Sequence, residues 1–440
     1  MLSRMKPALK AFNAPAESPK TICIMGLGYI GLPTAAVLAD RGYHVVGVDI
    51  REHVVDTINR GEIHIHEPGL GELVNRVVRS GKLQASLQPV EADVFFICVP
   101  TPINEDKSPD LSYVKAASQA IRPYVKAGNL VILESTSPPK TTQNVVAAAA
   151  IPSNLTPGQN VHVAYCPERV LPGQILREVT ENDRIVGGLT ESCTSIAAAF
   201  YETFVTGQVM RTNAVTAELA KLVENAYRDV NIAFANEVSM IADDLEVDPF
   251  ELIALANHHP RVNILNPGPG VGGHCISVDP WFIAHAAPNR SSLIKTARTV
   301  NNSKTRFITD QVIAVAQGFK SPVIGCLGLA YKPNVDDYRE SPSLVIARQL
   351  TEVSSINVLT TDPYATNGNF SGVKIVSLDE ILAKADILVL LTAHREYSQI
   401  QNTKLIGKTI YDATGSWPKR TNNQPQSTAK NLPSHEHKAA

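Results

Sequence analysis

Three observations predict an α/β protein in which two doubly wound parallel sheets are joined by a central helical domain. In the first half of the chain, short apolar segments alternate with longer helical patterns, as in parallel sheets covered by helices. From about residue 212 to residue 248 the pattern is one long helix with hardly a breaker. A second, smaller alternation begins near residue 321. Each alternation indicates one α/β domain, and the long helix indicates a domain between them.

The individual elements support this order along the chain. The apolar segments are rich in β-branched residues and have turn-type flanks, which favours buried strands over helices. In the first half they are TICIMG (21–26), HVVGVD (44–49), DVFFICV (93–99), NLVILES (129–135) and VHVAYC (161–166). In the second run they are PVIGCLGLA (322–330), INVLTTD (356–362), ADILVLLT (385–392) and KTIYDAT (408–414).

These elements predict five segments. A Pro/Ala-rich beginning without a clear period predicts a flexible leader, and a polar end predicts a disordered tail. The predicted organisation is a leader (1–20), a first α/β domain (21–211), a central helical domain (212–318), a second α/β domain (319–420) and a tail (421–440).

The composition of the 440 residues predicts a globular protein with a small-molecule partner. Hydrophobic residues are 44 % and charged residues 19 % of the chain, which excludes a collagen-like or wholly disordered protein. Forty basic and 42 acidic residues give a net charge of -2, without the basic footprint of a nucleic-acid binder. No apolar stretch approaches the length of a membrane span. Six widely spaced cysteines without a CxxC pair do not indicate a disulfide framework, so we expect a cytoplasmic protein.

A glycine motif directly after the first predicted strand indicates a dinucleotide site. Gly26, Gly28 and Gly31 open a helical pattern, where glycines allow a tight turn and a helix N-terminus attracts a pyrophosphate. Asp49 ends the second predicted strand, 18 residues after Gly31. Its carboxylate would accept hydrogen bonds from the ribose and repel a 2′-phosphate, although Arg51 lies close enough to weaken that repulsion. The context predicts a Rossmann-like domain for NAD; the alternative is a turn that only packs a helix on a sheet.

The second α/β domain begins with a related but incomplete glycine turn. Gly325 and Gly328 follow its first predicted strand, but a third glycine at the matching spacing is missing. This turn therefore indicates a nucleotide or sugar contact, or a purely structural turn, rather than a second dinucleotide site.

A cysteine in the glycine-rich segment 270–280 is a candidate nucleophile. Most free cysteines are small buried hydrophobes, which suits Cys23, Cys98 and Cys326 inside apolar segments. Cys275 differs because glycines and a histidine precede it in a predicted loop. A partly exposed thiol near cations can hold thiolate character, so a buried structural thiol and a reactive one both remain possible here. The histidines lack the HExxH spacing of a metal site, and no metal is expected.

The long helix carries a polar stripe. Lys221, Asn225 and Arg228 are spaced i, i+4, i+7 and therefore share one face. The opposite face carries four apolar residues that are predicted to pack inward, namely Leu219, Val223, Ala226 and Val230. By spacing alone, a stripe of this kind is typical of a solvated surface.

Together these motifs resemble the nucleotide-sugar dehydrogenases that oxidise the C6 alcohol of a UDP-sugar to a carboxylate. The motifs that carry the resemblance cover the chain from about Thr21 to Trp417. They are MGLGYIGLPTAAVLA, VPTPIN, LESTSPP, YCPERVLPG, TAELAKLVENAYRDVNIAFANE, HPRVNI, GPGVGGHCISVDPWF and YKPNVDDYRESP. The resemblance implies a double oxidation with NAD in which a cysteine holds the aldehyde as a thiohemiacetal and then as a thioester.

The resemblance also assigns roles to residues by their place in these motifs. Cys275 matches the nucleophile, Asp279 a carboxylate that orients water or a base, and Glu168 a glutamate implicated in thioester hydrolysis. Lys221 and Asn225 match residues beside the reacting C6, which reverses the solvated-surface interpretation of the stripe. Further cofactor contacts are implied at Tyr29, Ile30, Thr101, Thr136 and Arg339. Further UDP-sugar contacts are implied at Arg169, Val170, Arg228, His259, Arg261, Gly272, Tyr331 and Lys332.

The substrate has several candidates within the family. HPRVNI before the glycine loop and Val278, where the UDP-glucose branch carries a lysine, favour UDP-N-acetylmannosamine. UDP-N-acetylglucosamine and UDP-glucose are the alternatives, and a non-catalytic nucleotide-sugar-binding protein is the alternative of another class. Thr414 stands where the close family often has a lysine, which puts a sugar contact at that position in doubt. The long helix and the family's assembly imply a homodimer.

Overall fold

The computed structural model describes residues 20–417, which form two compact units. Among the described residues, the first unit consists of residues 20–233 and 274–300, and the second of residues 234–273 and 301–417. The predicted tail (421–440) and all but the last residue of the predicted leader (1–20) lie outside the described residues. None of the helices between residues 20 and 417 has both the length and the apolar character that a bilayer span requires.

The first unit contains, among the described residues, an eight-stranded sheet. Its strands are β1 (Thr21–Met25), β2 (His44–Val48), β3 (Leu83–Ser86), β4 (Val94–Ile97), β5 (Leu130–Leu133), β6 (His162–Tyr165), β7 (Arg184–Gly188) and β8 (Val209–Asn213). They are ordered β3-β2-β1-β4-β5-β6-β7-β8, and only the β6–β7 pair of this sheet is antiparallel. The order of the first six strands is that of a dinucleotide-binding fold, in which ligands bind at the carboxyl ends of the strands.

Both faces of this sheet are covered by helices. They are α1 (Gly31–Asp40), α2 (Glu52–Asn59), α3 (Leu70–Arg79), α4 (Ser112–Ile121), α5 (Ala148–Ala150), α6 (Ile175–Glu181) and α7 (Glu191–Tyr201). A short 3-10 turn (Arg122–Tyr124) follows α4, and a π-helical segment (Thr142–Ala147) precedes α5. Because side chains alternate along a strand, Ile22 and Ile24 enter one core and Cys23 and Met25 enter the other.

The long predicted helix is present as α8 (Ala214–Asp244), and the helix α9 (Pro249–Ala256) follows it. The chain then forms α10 (Asp279–Ala286) and α11 (Ser292–Ala316). Within the first unit, α11 is tied to α8 by an ion pair of 2.7 Å between Arg298 Nη1 and Asp229 Oδ1, both buried. A buried pair of this kind costs much to break, because either partner alone would leave a charge away from water.

The predicted inward face of α8 is wrong at two positions. Leu219 is 39 % exposed and Val223 is 50 % exposed, whereas Ala226 is buried and Val230 is half-buried. The residue that packs inward with Ala226 is Leu222. The face of α8 that packs inward therefore also includes polar positions of the predicted stripe.

The second unit contains, within the described part, a six-stranded sheet. Its strands are β9 (Val323–Leu327), β10 (Asn357–Thr361), β11 (Gly368–Phe370), β12 (Val373–Ile375), β13 (Ile387–Leu390) and β14 (Thr409–Asp412). The order is β11-β12-β10-β9-β13-β14, with β11 antiparallel to β12. The helices packed with it are α12 (Pro342–Thr351), α13 (Leu378–Lys384) and α14 (Arg395–Ser398), and a 3-10 turn (Asn402–Leu405) precedes β14. Two parallel-dominated sheets and a central long helix confirm the predicted fold class.

Candidate active site

The glycine turn after β1 has the geometry that a tight strand-to-helix connection needs. Gly26 has a φ of +95°, and a Cβ at this position would lie 2.5 Å from the carbonyl oxygen of Cys98. A Cβ at Gly31 would lie 1.8 Å from the carbonyl oxygen of Gly26. A Cβ at Gly28 would instead meet no described atom within 4 Å. Gly26 and Gly31 are thus required by the fold itself, whereas Gly28 leaves room for a pyrophosphate at the start of α1.

Asp49 follows β2 and its carboxylate closes the same turn. Its Oδ2 accepts a hydrogen bond of 3.3 Å from the backbone N–H of Leu27. Arg51 donates to both carboxylate oxygens, over 3.0 Å from Nε and 3.1 Å from Nη2. Burial raises the pKa of the Asp49 carboxyl, but the hydrogen bonds and the charge of Arg51 outweigh it, so the net pKa is lowered. The Asp49 carboxyl is therefore held in its charged form, and its hydrogen bonds to the ribose of NAD stay a prediction.

We expect Asp49→Ala to raise the KM for NAD and to narrow the preference for NAD over NADP. The substitution removes the acceptor for the ribose hydroxyls and the charge that repels a 2′-phosphate. Initial rates with each cofactor measure both effects. Asp40→Ala, which removes an exposed acid at the end of α1, serves as the control and should leave both constants unchanged. If the unmutated enzyme has the same kcat/KM for NAD and for NADP, Asp49 does not select between the two cofactors.

The other predicted cofactor contacts are distributed between the two units. Tyr29 is exposed in the glycine turn. The Thr101 hydroxyl donates a 2.6 Å hydrogen bond to the carbonyl oxygen of Thr136, which joins the segments that follow β4 and β5. Arg339 lies in the second unit, where its guanidinium forms a 2.5 Å ion pair with Asp337. The cofactor roles of these residues stay predictions.

Cys275 lies on a turn that leads into α10. Its carbonyl oxygen accepts hydrogen bonds from the backbone N–H groups of Val278 and Asp279, over 3.0 and 2.8 Å. The turn places the thiol residue one helical turn before the Asp279 carboxyl, which is buried at the first position of α10. The predicted nucleophile and the predicted water-orienting carboxylate are therefore held on one local element.

The Asp279 carboxyl contacts the long helix. Asn225 Nδ2 donates a 2.6 Å hydrogen bond to Asp279 Oδ2. Burial raises the pKa of Asp279 to about 6, although the Asn225 hydrogen bond and the charge of Lys221 on the same helix both act to lower it. Three predicted catalytic residues thus act on one another, and the carboxyl is poised to change its charge near neutral pH.

Apolar packing explains why α8 and α10 meet at this point. Leu222 and Ala226 of α8 form a buried cluster with Phe282 and Ile283 of α10. Lys221 and Asn225 precede these two apolar residues by one position each, so the packing brings one edge of the polar stripe to Asp279. Arg228 stays exposed.

The segment after β6 holds Glu168 with one hydrogen-bond partner on each of its carboxylate oxygens. Glu168 Oε2 forms a 2.7 Å ion pair with Nη1 of the buried Arg184, and Oε1 accepts a 2.7 Å hydrogen bond from the backbone N–H of Arg169. The Arg169 side chain forms a 3.1 Å ion pair with Glu224 of α8. The sequence does not predict the burial of Arg184, because an arginine at the start of a strand is ordinarily exposed.

A second missed residue anchors α8 to the segment that carries Thr136. Glu218 is buried and accepts hydrogen bonds from the backbone N–H groups of Lys140 and Thr142, over 2.5 and 2.7 Å. The Thr142 hydroxyl adds a third bond of 2.7 Å. Burial raises the pKa of Glu218, and these three donors act to lower it. Glu218 therefore orients the helix three residues before Lys221.

In the second unit, a loop that contains the predicted substrate residue Gly272 packs against another one, Tyr331. A Cβ at Gly272 would lie 2.6 Å from the carbonyl oxygen of Glu340 and 2.7 Å from Cβ of Tyr331. Gly273, with a φ of +79°, donates its N–H to the carbonyl oxygen of Arg339 over 3.0 Å. The two glycines thus let this loop pack directly against the YKPNVDDYRESP segment. In the same unit Lys332, His259 and Arg261 are exposed.

The glycine turn after β9 has a structural reason of its own. Gly328 has a φ of +86°, and a Cβ there would lie 2.4 Å from the carbonyl oxygen of Thr392. Asp362, which follows β10, accepts hydrogen bonds from the backbone N–H groups of Leu329 and Ala330 and contacts His394 Nε2 at 3.2 Å. Its carboxylate is engaged by neighbours within the unit, which favours the structural interpretation of this turn.

Three family models match the chain in succession. The NAD binding domain of the UDP-glucose/GDP-mannose dehydrogenase family matches residues 20–205, the family's central domain matches residues 215–303, and its UDP binding domain matches residues 325–418. The chain belongs to the UDP-glucose/GDP-mannose dehydrogenase family. The family resemblance and the NAD cofactor predicted from the sequence are confirmed, and the chain is an NAD-dependent nucleotide-sugar dehydrogenase.

Named members of the family are similar to almost the whole chain. An NDP-N-acetyl-D-galactosaminuronic acid dehydrogenase from Ralstonia solanacearum is 50 % identical over 407 residues, covering 90 % of this chain and 96 % of the relative. A UDP-N-acetyl-D-mannosamine dehydrogenase from Escherichia coli (strain K12) is 48 % identical over 415 residues, covering 90 % and 99 %. The solved structure of a UDP-N-acetyl-mannosamine dehydrogenase from S. aureus is 40 % identical, covers 90 % and 95 %, and has a TM-score of 0.83.

Proposed function

We propose that this dehydrogenase oxidises the C6 alcohol of UDP-N-acetyl-D-mannosamine to UDP-N-acetyl-D-mannosaminuronate in two steps. The observation that carries the proposal is the 2.6 Å hydrogen bond from Asn225 to Asp279, which joins α8 to the turn that begins at Cys275. This hydrogen bond places the Asn225 amide and the Asp279 carboxyl together. Lys221 lies on the same helix as Asn225, and the Cys275 thiol lies on the turn that leads to Asp279. A four-electron oxidation through a covalent intermediate uses groups of these kinds.

Lys221 acts in the first oxidation, and Cys275 carries the substrate through the second. NAD, when bound, accepts one hydride in each of the two oxidations. The alcohol transfers its proton to a water held by the Asp279 carboxylate, while the Lys221 ammonium stabilises the negative charge that develops on the substrate O6. The Cys275 sulfur then adds to the aldehyde carbon, and the resulting thiohemiacetal loses its hydroxyl proton and a hydride to become a thioester.

Hydrolysis of the thioester is assigned to the two buried carboxyl groups. Glu168 takes a proton from water while the water oxygen bonds to the thioester carbon. The carbon–sulfur bond breaks, and its electron pair leaves on the sulfur of Cys275. Asp279, with a pKa raised to about 6 by burial, orients the water and the Asn225 amide. The other predicted contacts keep the roles given above as part of this proposal.

The sugar is assigned from two positions and from the relatives. This chain has Val278 at the position where the UDP-glucose branch has a lysine, which disfavours UDP-glucose. The HPRVNI segment (259–264) favours the mannosamine branch. The 48 % identical relative named for UDP-N-acetyl-D-mannosamine supports this choice. The 50 % identical relative named for N-acetyl-D-galactosaminuronic acid favours a galacto-configured sugar as the second candidate. Both candidates carry a 2-acetamido group, whose amide must find hydrogen-bond partners in the site.

The proposal is tested by comparing UDP-N-acetyl hexosamines with UDP-glucose in the absence of any epimerase. We expect two NADH per sugar, and a kcat/KM for UDP-N-acetylmannosamine at least about tenfold above the next substrate, because a wrong epimer leaves polar groups unpaired. A better rate with the galacto or gluco epimer would overturn the sugar assignment and leave the two-step oxidation in place. One NADH per sugar, with release of aldehyde, would overturn the two-step oxidation.

A homodimer through α8 and a cytoplasmic location are also part of the proposal. Leu219, Val223 and Tyr227 are exposed and lie four residues apart, so they form an apolar stripe on one face of α8. All six cysteines fall within the described residues and are free, which suits a reducing compartment. Light scattering of the parent and of Tyr227→Glu measures the assembly; a dimer that Tyr227→Glu leaves intact would exclude this face.

A further inference from the structure

A cluster of ionisable side chains is enclosed in the first unit, and the predicted hydrolytic residue Glu168 belongs to it. We define the Glu134 cluster as Glu134, Glu168, Arg184 and Tyr201, whose exposed fractions are 2 %, 7 %, 1 % and 0 %. Glu134 follows β5, Arg184 begins β7 and Tyr201 ends α7. Among the members of this cluster, the two-step oxidation assigns a role to Glu168 alone.

The members form a continuous chain of contacts. Arg184 Nη1 lies 2.7 Å from Glu168 Oε2, and the Arg184 guanidinium lies 5.9 Å from the centre of the Tyr201 ring. The Tyr201 hydroxyl donates a 2.7 Å hydrogen bond to Glu134 Oε1. The Cys98 thiol donates a 3.4 Å hydrogen bond to Glu134 Oε2. Glu134 therefore accepts hydrogen bonds from two neutral donors, whereas the Arg184 guanidinium forms its ion pair with Glu168.

The charges of the cluster do not balance when both carboxyl groups are ionised. One guanidinium compensates one carboxylate, and a second carboxylate in the same interior would be costly. Burial and then the charge of Glu168 raise the pKa of Glu134 to about 7, while the Arg184 charge and the Tyr201 hydrogen bond act to lower it. Glu134 is therefore the member expected to change its charge near neutral pH.

The other titratable groups that face Glu134 keep one state over this range. Burial raises the pKa of the Cys98 thiol well above its usual range and that of Cys166 to about 12. Burial also raises the pKa of the Tyr201 hydroxyl, so it remains a neutral donor. For Arg184, burial opposes the charged form, but the Glu168 charge outweighs it and raises the pKa. The charge of the cluster then depends on one proton at Glu134.

We propose that Glu134 is a positioning residue for the hydrolytic step, which sets by its charge how strongly Glu168 attracts the proton of the attacking water. The proposal rests on the proposed function, because it concerns the hydrolysis of the Cys275 thioester. In that step water transfers a proton to Glu168, its oxygen bonds to the acyl carbon, and the sulfur leaves with the electron pair of the carbon–sulfur bond. An ionised Glu134 repels the charge of Glu168 and makes it a stronger base. A protonated Glu134 does not.

The test separates acylation from hydrolysis over pH 6 to 8.5. Rapid mixing with NAD and the UDP-sugar gives the rate of NADH formation, and quenched samples give the thioester on Cys275 by intact mass. In the parent we expect the hydrolysis rate to rise as pH passes through the Glu134 ionisation. In Glu134→Gln the rise above pH 7 should be absent, while the part near pH 6 that belongs to Asp279 should remain. Hydrolysis at pH 8.5 should be lowered about three- to tenfold, as expected for a weaker general base. The rate of thioester formation should stay within about twofold of the parent, because the Glu168 ion pair with Arg184 is kept.

Tyr201→Phe provides a second test that keeps the charges. It removes the hydroxyl that stabilises ionised Glu134, so the rise in hydrolysis should remain but move to higher pH. This variant decides the proposal if Glu134→Gln does not fold. Glu91→Gln, which removes an exposed carboxylate of the same unit, is the matched control and should leave the profile unchanged.

The possible outcomes distinguish the two proposals. If the thioester forms in the parent, and both Glu134→Gln and Tyr201→Phe hydrolyse it with the parent's pH profile, the role of Glu134 is overturned and the proposed function stands. If intact mass shows no acyl adduct on Cys275 in the parent or in any variant during turnover, the proposed function fails, and the role of Glu134 fails with it. Loss of the rise in Glu134→Gln and its displacement in Tyr201→Phe support the proposal.

Discussion

Replacing Cys275 with serine should lower the rate of acid formation by at least about a thousandfold, since a thiolate is a far better nucleophile than a neutral hydroxyl. Cys275→Ala removes the nucleophile altogether and should release aldehyde slowly after one oxidation. The turn that begins at Cys275 is held by hydrogen bonds from Val278 and Asp279 to its backbone carbonyl, which neither substitution removes. NADH per sugar and the yield of uronate measure the two oxidations separately.

The control is a cysteine in a different setting. Cys326 is buried in β9, and burial raises the pKa of its thiol to about 12, so it is inert as a nucleophile. Cys326→Ala should keep turnover near that of the parent at temperatures where it is folded. Uronate formed at a near-parental rate by Cys275→Ser or Cys275→Ala would exclude a covalent role for Cys275.

Replacing Lys221 with alanine should lower kcat by roughly a hundred- to a thousandfold and raise the substrate KM less, because its charge acts on the developing oxyanion. It should also change the pH profile. The charge of Lys221 lowers the pKa of Asp279, which burial raises to about 6. Without that charge the pKa of Asp279 rises further. The loss of activity on the acid side should then move to higher pH.

Two further variants separate a charge effect from a structural one. Lys221→Arg keeps the charge and should keep the acid limb in place even if kcat falls. Lys115→Ala removes an exposed lysine on α4 and should change neither kcat nor the pH profile. If Lys221→Ala behaves like the parent, the polar stripe is a solvated surface and Lys221 has no part in the chemistry.

The elements that form the predicted cofactor site could be deduced from the sequence because they depend on local rules. Buried parallel strands are short apolar segments, and each of the nine segments taken as strands contains one in the structure. A tight turn between β1 and α1 requires glycines at Gly26 and Gly31, where a Cβ would meet backbone. Asp49 directly follows β2, so its position at the carboxyl end of the sheet follows from the position of that strand. In each case the types of the residues and their spacing along the chain are enough to predict the local structure.

The face of the long helix could not be predicted in the same way. The spacing of Lys221, Asn225 and Arg228 defines one face, but the direction that this face takes depends on what packs against α8. In the structure Asn225 is buried against Asp279, while Leu219 and Val223 are exposed. A helical period gives the faces of a helix and not their partners.

The sequence by itself determined the α/β class, the long helix, the glycine turn and the cysteine loop, because each follows from nearby residues. The tertiary structure alone decided the pairing of distant charges. Arg184 meets Glu168 and Arg298 meets Asp229 inside the first unit, although 16 and 69 positions separate the partners. Glu134 joins the same interior as Glu168 only because β5 and β6 are adjacent in the sheet. A charge is stable there only when another element supplies its partner, and that is a property of packing rather than of local sequence.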